Sequence, residues 1–337
     1  MTELIPAGAN ELMQAAGQAA NQAAAAWTFE DYRSRKAANT LRRQAADLAA
    51  FRAFLAEVHI PAGDLAHDPT AWRGVTWGIV EAFKRWLLAG GYALATVNFR
   101  LSTVKVYTGL AALAGAIPAQ ENSLIQAVHG YSHKEFKRVD EDRDKSRRGA
   151  KKAEPVSITP DQARQLRDQP DTPQGRRDAV LMRILLDHGL RCGEVAGLRV
   201  EDFDLERGLM TFYRPKVQKR QNHRLSADDL AAIRAYLEQD HPMLTGPLLL
   251  ASRKGGHLDG LGMSERAITK RVAALGERVG LAGLSAHDCR HYWATQAARH
   301  GTHIERLKDA GGWSSLAMPG RYIEAAKIAN EGVILGD

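Results

Sequence analysis

Apolar side chains recur at helical spacing through the first third of the chain. Leu48, Phe51 and Leu55 share one face of a predicted helix, and Arg42 and Arg43 lie on other faces. Further helical runs are predicted at about residues 70–88, 95–113 and 122–129. Together these runs predict an all-helical domain over residues 28–133.

Two stretches of different composition flank this domain. Residues 1–27 are rich in Ala and Gln and carry little charge, so we expect either a helical arm or a frayed leader. Residues 134–152 carry nine basic and five acidic side chains and almost no apolar ones. This pattern predicts a linker over residues 134–155, and a basic linker can also follow a phosphate backbone.

The remainder of the chain, residues 156–337, predicts a second domain. Thr159 followed by Pro160 is a helix-start signal. Residues 208–213 and 222–226 predict two antiparallel strands joined by a turn. Helices are expected at about residues 160–168, 175–189, 227–239, 264–279, 287–299, 303–310 and 317–329. The predicted fold class is therefore mainly α, with a small antiparallel β-sheet in the second domain.

Composition narrows the classes of function. The chain has 46 Lys and Arg against 39 Asp and Glu, a net charge of +7, which favours a polyanionic partner such as nucleic acid. Two cysteines imply no disulfide framework. No segment approaches the roughly 20 apolar residues needed to span a bilayer, and the N-terminus lacks the pattern of a secretory signal. We therefore expect a cytoplasmic protein that does not contact a membrane.

Four residues of the second domain would each have an ordinary role if taken alone. Arg191 lies at a junction between predicted helices, where a local ion pair is the usual role. Lys216 lies in the predicted turn, where a lysine is usually solvated. Trp313 would normally pack, and Tyr322 is one of eight tyrosines.

His287 and Arg290 are three residues apart on a predicted helix, so both point to one face. His287, Cys289 and His291 also suggest a metal site. However, residues two apart on a helix diverge, so these side chains are not expected to converge on one ion. We therefore expect no metal here.

Taken in order along the chain, these residues closely resemble the signature of the tyrosine recombinase, or phage integrase, family. That signature is an Arg in a Gly-Leu-Arg-x-x-Glu segment, a hairpin Lys, a His-x-x-Arg helix, a His or Trp, and a nucleophilic Tyr. The matching residues are Arg191, Glu194, Lys216, His287, Arg290, Trp313 and Tyr322. Most members carry His at the Trp313 position, whereas Cre-like members carry Trp. The resemblance implies a core-binding domain at residues 28–133 and a catalytic domain at residues 156–337.

The resemblance implies cleavage and rejoining of DNA through a 3′-phosphotyrosyl intermediate on Tyr322, with no metal, ATP or other cofactor. Arg191 and Arg290 suit the scissile phosphate, because each guanidinium offers a fork of donors and stays charged. Trp313 can donate one N–H to the same phosphate. His287 is the candidate base for the phenol proton.

Two further roles follow from the same resemblance. Glu194 is expected to orient the site rather than to react. Lys216 is the candidate acid for the departing 5′ oxygen. Lys219 lies on the same turn, and Lys216 is favoured because it directly follows the first predicted strand.

The implied partner is a double-stranded DNA recombination site. The expected DNA contacts are Arg42, Arg43, Arg100, Lys105, Arg147, Arg148 and Lys219. We expect a homo-oligomer, a dimer on one site and a tetramer in the synapse, in which the tail of residues 331–337 either docks on a neighbouring protomer or folds back on its own domain. A type IB topoisomerase and an inactive DNA-binding relative are the alternatives. The helical N-terminal domain and the complete set of signature residues favour a recombinase.

Overall fold

The structure is a computed structural model that describes residues 7–132, 135, 155–241, 243, 245–253 and 255–326. The chain divides into two compact units, the first within residues 1–151 and the second within residues 152–337. Each unit encloses a hydrophobic core of its own. The finer domain limits expected from the sequence stay predictions. Within the described ranges, no helix combines the length and apolar character needed to cross a bilayer.

Helices make up the framework of the first unit. Its elements are α1 (Ala7–Ser34), α2 (Ala38–Glu57), a 3-10 helix (Pro69–Trp72), α3 (Trp77–Ala89), α4 (Leu94–Leu113) and α5 (Ala119–Ala127). The run predicted at residues 70–88 is interrupted, because Gly74 has a φ of 79° and leaves the helical path. Helix α3 then starts after Thr76, whose hydroxyl accepts a hydrogen bond from the Ile79 amide at 3.5 Å.

Aromatic side chains fill the core of the first unit. Phe51 on α2 is fully buried, and its ring centroid lies 5.0 Å from that of Phe83 and 5.6 Å from that of Trp72. The Trp72 indole N–H donates to the Leu65 carbonyl at 3.0 Å, so its polar group is satisfied inside the core. The apolar face predicted for α2 is the face that packs here.

Helix α1 crosses the boundary predicted at residue 28. Residues 11–24 of its Ala-rich half are solvent-exposed, as a helical arm would be. The helix reaches the core only near its C-terminal end. There Phe29 is buried and its ring lies 5.6 Å from that of Tyr107, edge to face. Helix α1 therefore begins well before residue 28 and contacts the core near its C-terminal end.

The second unit combines helices with small antiparallel sheets. Its helices are α6 (Pro160–Arg167), α7 (Pro173–Asp187), α8 (Cys192–Ala196), α9 (Ala227–Asp240), α10 (Glu265–Arg278), α11 (Ala286–Arg299), α12 (Ile304–Gly311) and α13 (Ala317–Ala326). Its strands are β1 (Phe203–Asp204), β2 (Leu209–Arg214), β3 (Lys219–Arg224), β4 (Leu250–Ser252) and β5 (Leu258–Gly262). The predicted class, mainly α with a small antiparallel sheet, is confirmed.

The predicted hairpin is the pair β2 and β3, within a sheet of order β1-β2-β3. In this pair Leu209 lies opposite Arg224, and Arg214 lies opposite Lys219. The sequence analysis did not predict the separate pair β4 and β5. These strands have three and five residues, which is too short for alternation of polar and apolar positions to be recognised.

Helix α7 lies within the core of the second unit, and the chain that leaves its C-terminal end leads to Arg191. Residues 180–182 and 184–186 are all buried, a pattern typical of a helix enclosed on most sides. After the helix ends, Gly189 takes a left-handed conformation with a φ of 61°. A Cβ there would lie 2.3 Å from the Trp293 ring, so a side chain would not fit. This glycine turn directs the chain toward Arg191.

Candidate active site

Arg191 lies at the N-terminal end of α8, where Glu194 holds its side chain. The Glu194 carboxylate accepts hydrogen bonds from the Arg191 backbone amide at 2.9 Å and from the Arg191 guanidinium at 2.8 Å. The side chain of Glu194 is 3% exposed, whereas that of Arg191 is 27% exposed. The geometry suits the orienting role predicted for Glu194.

Arg290 on α11 is buried inside the second unit. Its guanidinium donates hydrogen bonds to the carbonyls of Gly189 and Gly311, each at 2.5 Å. The guanidinium carbon lies 4.3 Å from the centre of the Trp313 ring, a cation–π geometry. Because a guanidinium has five N–H groups, Arg290 keeps donors for a phosphate.

Tyr322 lies on α13, and its ring packs against His291 and Trp313. The ring centroids are 4.9 and 5.5 Å from that of Tyr322. The Tyr322 hydroxyl is buried and makes no hydrogen bond with the described residues. One turn before His291 on α11 lies His287, with 4.8 Å between the two imidazole rings. His291, which the sequence analysis did not include in the site, therefore connects the predicted base with the predicted nucleophile.

The C-terminal end of α12 is the point where several of these side chains meet. Its successive carbonyls accept hydrogen bonds as follows: Asp309 from Gln221 at 2.5 Å, Ala310 from Arg214 at 2.7 Å, Gly311 from Arg290 at 2.5 Å and Gly312 from Arg191 at 3.3 Å. The last carbonyls of a helix lack a full set of intrahelical partners, and the negative end of the helix dipole favours cations. Three arginines thus converge on one helix terminus.

Arg214 is a residue of this site that the sequence analysis missed. It is the last residue of β2, is fully buried, and donates a hydrogen bond to the Glu194 carboxylate at 2.6 Å. Met210, Phe212 and Arg214 are the buried positions of β2, so the available signal was a charged residue that continues an apolar strand face. Gly312 leaves room for it, since a Cβ there would lie 2.4 Å from the Arg214 Cδ.

The two candidate lysines lie at the end of the β2–β3 hairpin. Lys216 is in the turn, and Lys219 begins β3 directly opposite Arg214. Both lysine side chains are exposed. Directly opposed residues project from the same face of an antiparallel pair, so Lys219 shares the face of Arg214. The choice of Lys216 as the acid stays a prediction.

The site concentrates positive charge around neutral titratable groups. Burial lowers the pKa of Arg290 to about 9, and the charges of Arg191 and Arg214 act in the same direction. Arg290 is therefore still protonated at neutral pH. Burial raises the pKa of the Tyr322 phenol, although Arg290 and Arg191 oppose the shift. Partial desolvation by the protein around its ring, together with the charges of Arg290 and Arg191, lowers the pKa of His287, which favours a neutral imidazole that can accept a proton.

The side chains of His287 and Cys289 on α11 do not point into the same region of the protein. Cys289 is fully buried, whereas His287 is exposed, so the two side chains leave different sides of the helix. Within the described residues, no three His, Cys, Asp or Glu side chains are grouped so as to hold a metal ion. The groups that this arrangement offers to a ligand are guanidinium and indole donors and a neutral imidazole.

The DNA contacts predicted in the first unit have different environments. Arg42 and Arg43 on α2 are exposed. The Arg100 side chain is 16% exposed and lies 3.9 Å from the Asp47 carboxylate. The Lys105 ammonium donates hydrogen bonds to two carbonyls at the end of α5, at 2.6 and 3.0 Å. Arg147 and Arg148, most of residues 134–155, and the tail of residues 331–337 lie outside the described residues.

Comparison with known proteins identifies the family of this chain. Residues 157–328 match the model of the phage integrase family. The chain belongs to the phage integrase family. Tyrosine recombinase XerD of Neisseria meningitidis serogroup B (strain ATCC BAA-335 / MC58) is 28% identical over 189 residues, which cover 53% of this chain and 62% of that protein. Tyrosine recombinase XerC of Mycobacterium sp. (strain JLS) is 26% identical over 294 residues, which cover 84% of this chain and 87% of that protein.

Solved structures share the fold of this phage integrase family member. The integrase of transposon Tn1549, in complex with transposon right end DNA, matches with a TM-score of 0.61 and 15% identity over 88% of this chain and 94% of that one. A lambda integrase dimer bound to a COC′ core site matches with a TM-score of 0.62 and 14% identity over 92% of this chain and 95% of that one. At these identities the likeness establishes the fold.

Proposed function

We propose that this phage integrase family member is a site-specific DNA recombinase that cleaves and rejoins DNA strands through a 3′-phosphotyrosyl intermediate on Tyr322. The observation that carries the proposal is the convergence of Arg191 and Arg290 on the end of α12. Trp313 lies two residues after the last residue of α12. It stacks on Arg290 and contacts the Tyr322 ring. The relatives named tyrosine recombinases support the same class of reaction.

In the cleavage step, the Tyr322 oxygen attacks the scissile phosphorus, an O–P bond to tyrosine forms, and the bond to the 5′ oxygen breaks. His287 accepts the phenol proton, and the hairpin lysine donates a proton to the 5′ oxygen. Arg191 and Arg290 donate hydrogen bonds to the non-bridging oxygens, and the Trp313 indole adds one more donor. Electrostatic stabilisation of this kind is usually the largest contribution to catalysis.

Rejoining is the reverse step, in which a 5′-hydroxyl attacks the phosphotyrosyl bond and releases Tyr322. The covalent intermediate preserves the energy of the broken phosphodiester, so the reaction needs no ATP. The guanidiniums neutralise the phosphate, so it needs no metal ion. The Tyr322 hydroxyl makes no hydrogen bond with the described residues, so no internal hydrogen bond has to break before its proton passes to a base.

The proposed partner is double-stranded DNA, bound by both units. Arg42 and Arg43 are the exposed candidates of the first unit, and the basic linker adds further charge. Lambda integrase has been solved as a dimer on a core site and as a tetramer on a Holliday junction, which supports the same assemblies here. Because Trp313 stands where most members carry His, we assign the chain to the Cre-like members. In this proposal the tail at residues 331–337 docks on a neighbouring protomer. The protein acts in the cytoplasm.

The first experiment finds the DNA site and then tests the nucleophile. The protein is incubated with fragments of its own genomic neighbourhood, and covalent adducts are sequenced. On a nicked substrate of that sequence, Tyr322→Phe is expected to bind DNA and to form no adduct, while adducts of the wild-type protein form in EDTA. Tyr213→Phe, at an exposed tyrosine of β2, is the matched control and is expected to react normally.

Three results would contradict the proposal. A normal adduct yield from Tyr322→Phe would remove the nucleophile from its role. Loss of cleavage in EDTA would indicate a metal enzyme. Relaxation of supercoiled DNA without any exchange between two sites would favour a type IB topoisomerase.

A further inference from the structure

The side chain of Arg214, on β2, makes hydrogen bonds to residues of three other elements of the second unit. Its side chain is 0% exposed. The guanidinium donates hydrogen bonds to the Glu194 carboxylate on α8 at 2.6 Å, to the Ala310 carbonyl on α12 at 2.7 Å, and to the side-chain oxygen of Gln221 on β3. These acceptors lie on different sides of one planar fork, and a guanidinium supplies donors in that arrangement where an ammonium does not.

Glu194 connects Arg214 to the phosphate-binding side of the site. One carboxylate oxygen of Glu194 accepts from the Arg191 guanidinium, and the other accepts from the Arg214 guanidinium. Without Arg214, a buried carboxylate oxygen would keep only the backbone amide of Arg191 as its donor. The carboxylate would then be less restrained, and the Arg191 guanidinium that it holds would be less restrained as well.

Gln221 connects Arg214 to the lysine-bearing end of the hairpin. Its side-chain oxygen accepts from Arg214, and its amide nitrogen donates to the Asp309 carbonyl at 2.5 Å. Arg214 immediately precedes the turn at residues 215–218 that carries Lys216. The two side chains thus attach this end of the β2–β3 hairpin to the end of α12.

Burial of a charge does not by itself indicate a functional role, and Arg177 shows the contrast. Its side chain is 1% exposed, it pairs with Asp178 at 2.7 Å, and it donates a hydrogen bond to the Leu250 carbonyl at 3.0 Å. Those partners lie on α7 and β4. Arg177 is therefore as deeply buried as Arg214, and it has a comparable set of acceptors outside the candidate active site.

We propose that Arg214 is a positioning residue, which aligns the phosphate-binding Arg191 and the lysine-bearing hairpin with each other through Glu194 and Gln221. This inference rests on the proposed function. It predicts that loss of Arg214 weakens two contributions to cleavage, the binding of the non-bridging oxygens and the protonation of the 5′ oxygen. These two contributions can be separated chemically.

The experiment measures cleavage rates on the DNA sequence that the wild-type protein cleaves. One substrate is ordinary DNA, and the other has sulfur in place of the bridging 5′ oxygen. A thiolate leaves without being protonated, because a thiol pKa is only about 8.5. Arg214→Met is expected to cleave ordinary DNA about 10²-fold more slowly than the wild-type protein. On the sulfur substrate the deficit is expected to shrink to about tenfold, because only the contribution of Arg191 remains impaired.

Two more substitutions make the comparison specific. Arg214→Lys keeps the charge and loses the fork, so it is expected to stay close to Arg214→Met. Arg177→Met is the matched control, and it is expected to cleave within about twofold of the wild-type rate at a temperature where circular dichroism shows it folded. In the same assay, Lys216→Ala and Lys219→Ala identify the acid as the lysine whose loss the sulfur substrate offsets.

The proposal is overturned if folded Arg214→Met cleaves ordinary DNA as fast as Arg177→Met, if Arg214→Lys reaches the wild-type rate, or if sulfur leaves the Arg214→Met deficit unchanged. If Arg214→Met fails to fold, Gln221→Ala tests the proposal in its place, because Gln221 is only half-buried and accepts a hydrogen bond from Arg214. It is expected to slow cleavage of ordinary DNA about tenfold and to recover on sulfur, and a wild-type rate would overturn the proposal. Failure of the proposed function is separate, since it shows as an absence of adducts from the wild-type protein.

Discussion

The first unit buries stacked aromatic rings, whereas the second unit buries a set of ionisable side chains beside its apolar core. In the first unit, the Phe51 ring stacks on Trp72 and meets Phe83 edge to face. The buried polar and charged residues of the second unit include Arg177, Asp178, His188, Glu194, Arg214, Asp229, His241, Asp288 and Arg290. Both interiors therefore have an apolar core, and that of the second unit also holds a larger set of buried ionisable side chains.

The two interiors differ in how strictly their interactions depend on direction. Apolar burial is non-directional and scales with area, so an aromatic core stabilises a fold without specifying one contact. A buried ion costs several kcal/mol unless its partners are well placed. In the second unit, carboxylates and helix-end carbonyls supply those partners for Arg214 and Arg290. Such an arrangement is suited to receive an anion at a defined place.

The largest expected effect tests the aromatic interior. Phe51→Ala is expected to lower the free energy of unfolding of the first unit by about 3–5 kcal/mol, because it removes a fully buried ring. Phe99→Ala, at a ring that is 55% exposed, is the matched control with little expected change. Chemical denaturation followed by tryptophan fluorescence measures both. A 10²-fold slower cleavage by folded Phe51→Ala at saturating DNA would break the comparison, because it would make the aromatic core part of the chemistry.

The next effect tests the charged interior. Arg191→Lys and Arg290→Lys keep the charge and lose the fork, so each is expected to slow adduct formation about 10²-fold. Arg299→Lys, at an exposed arginine near the end of α11, is the matched control. Rates on the nicked substrate are compared at equal DNA occupancy, with circular dichroism as the check on folding. If either variant reaches the rate of Arg299→Lys, its guanidinium does not bind the scissile phosphate.

The smallest effect sharpens the comparison through pH. Burial lowers the pKa of His223 to about 3, and the charges of His188 and Arg214 act in the same direction. An unfolded histidine has a pKa of about 6.5, so between these values the unfolded chain binds the extra proton and the stability of the second unit falls as pH falls. His223→Gln is expected to flatten this dependence between pH 6.5 and 4. Thermal unfolding at several pH values in that range measures this dependence. If stability varies with pH as steeply in His223→Gln as in the wild-type protein, His223 does not have the lowered pKa.

Local sequence patterns predicted much of the fold because helices and strands impose short periods on the chain. The spacing of Leu48, Phe51 and Leu55 predicted α2, and the strand-forming residues at 208–213 before a turn predicted β2. These patterns did not reveal the left-handed Gly74 that splits one predicted helix, nor the short strands β4 and β5. Such features have no period, since each depends on one dihedral angle or on a few residues paired at a distance.

The sequence by itself determined which chemical groups are available: a set of signature residues in family order, a basic charge balance and the apolar faces of most helices. Only the tertiary structure decided which of those groups meet. It placed Arg191 beside the Gly312 carbonyl, 121 residues further along the chain, and it added Arg214, Gln221 and His291 to their neighbourhood. The physical reason is that a sequence pattern reports the face on which a side chain lies, whereas a hydrogen bond also requires the distance and direction that packing sets.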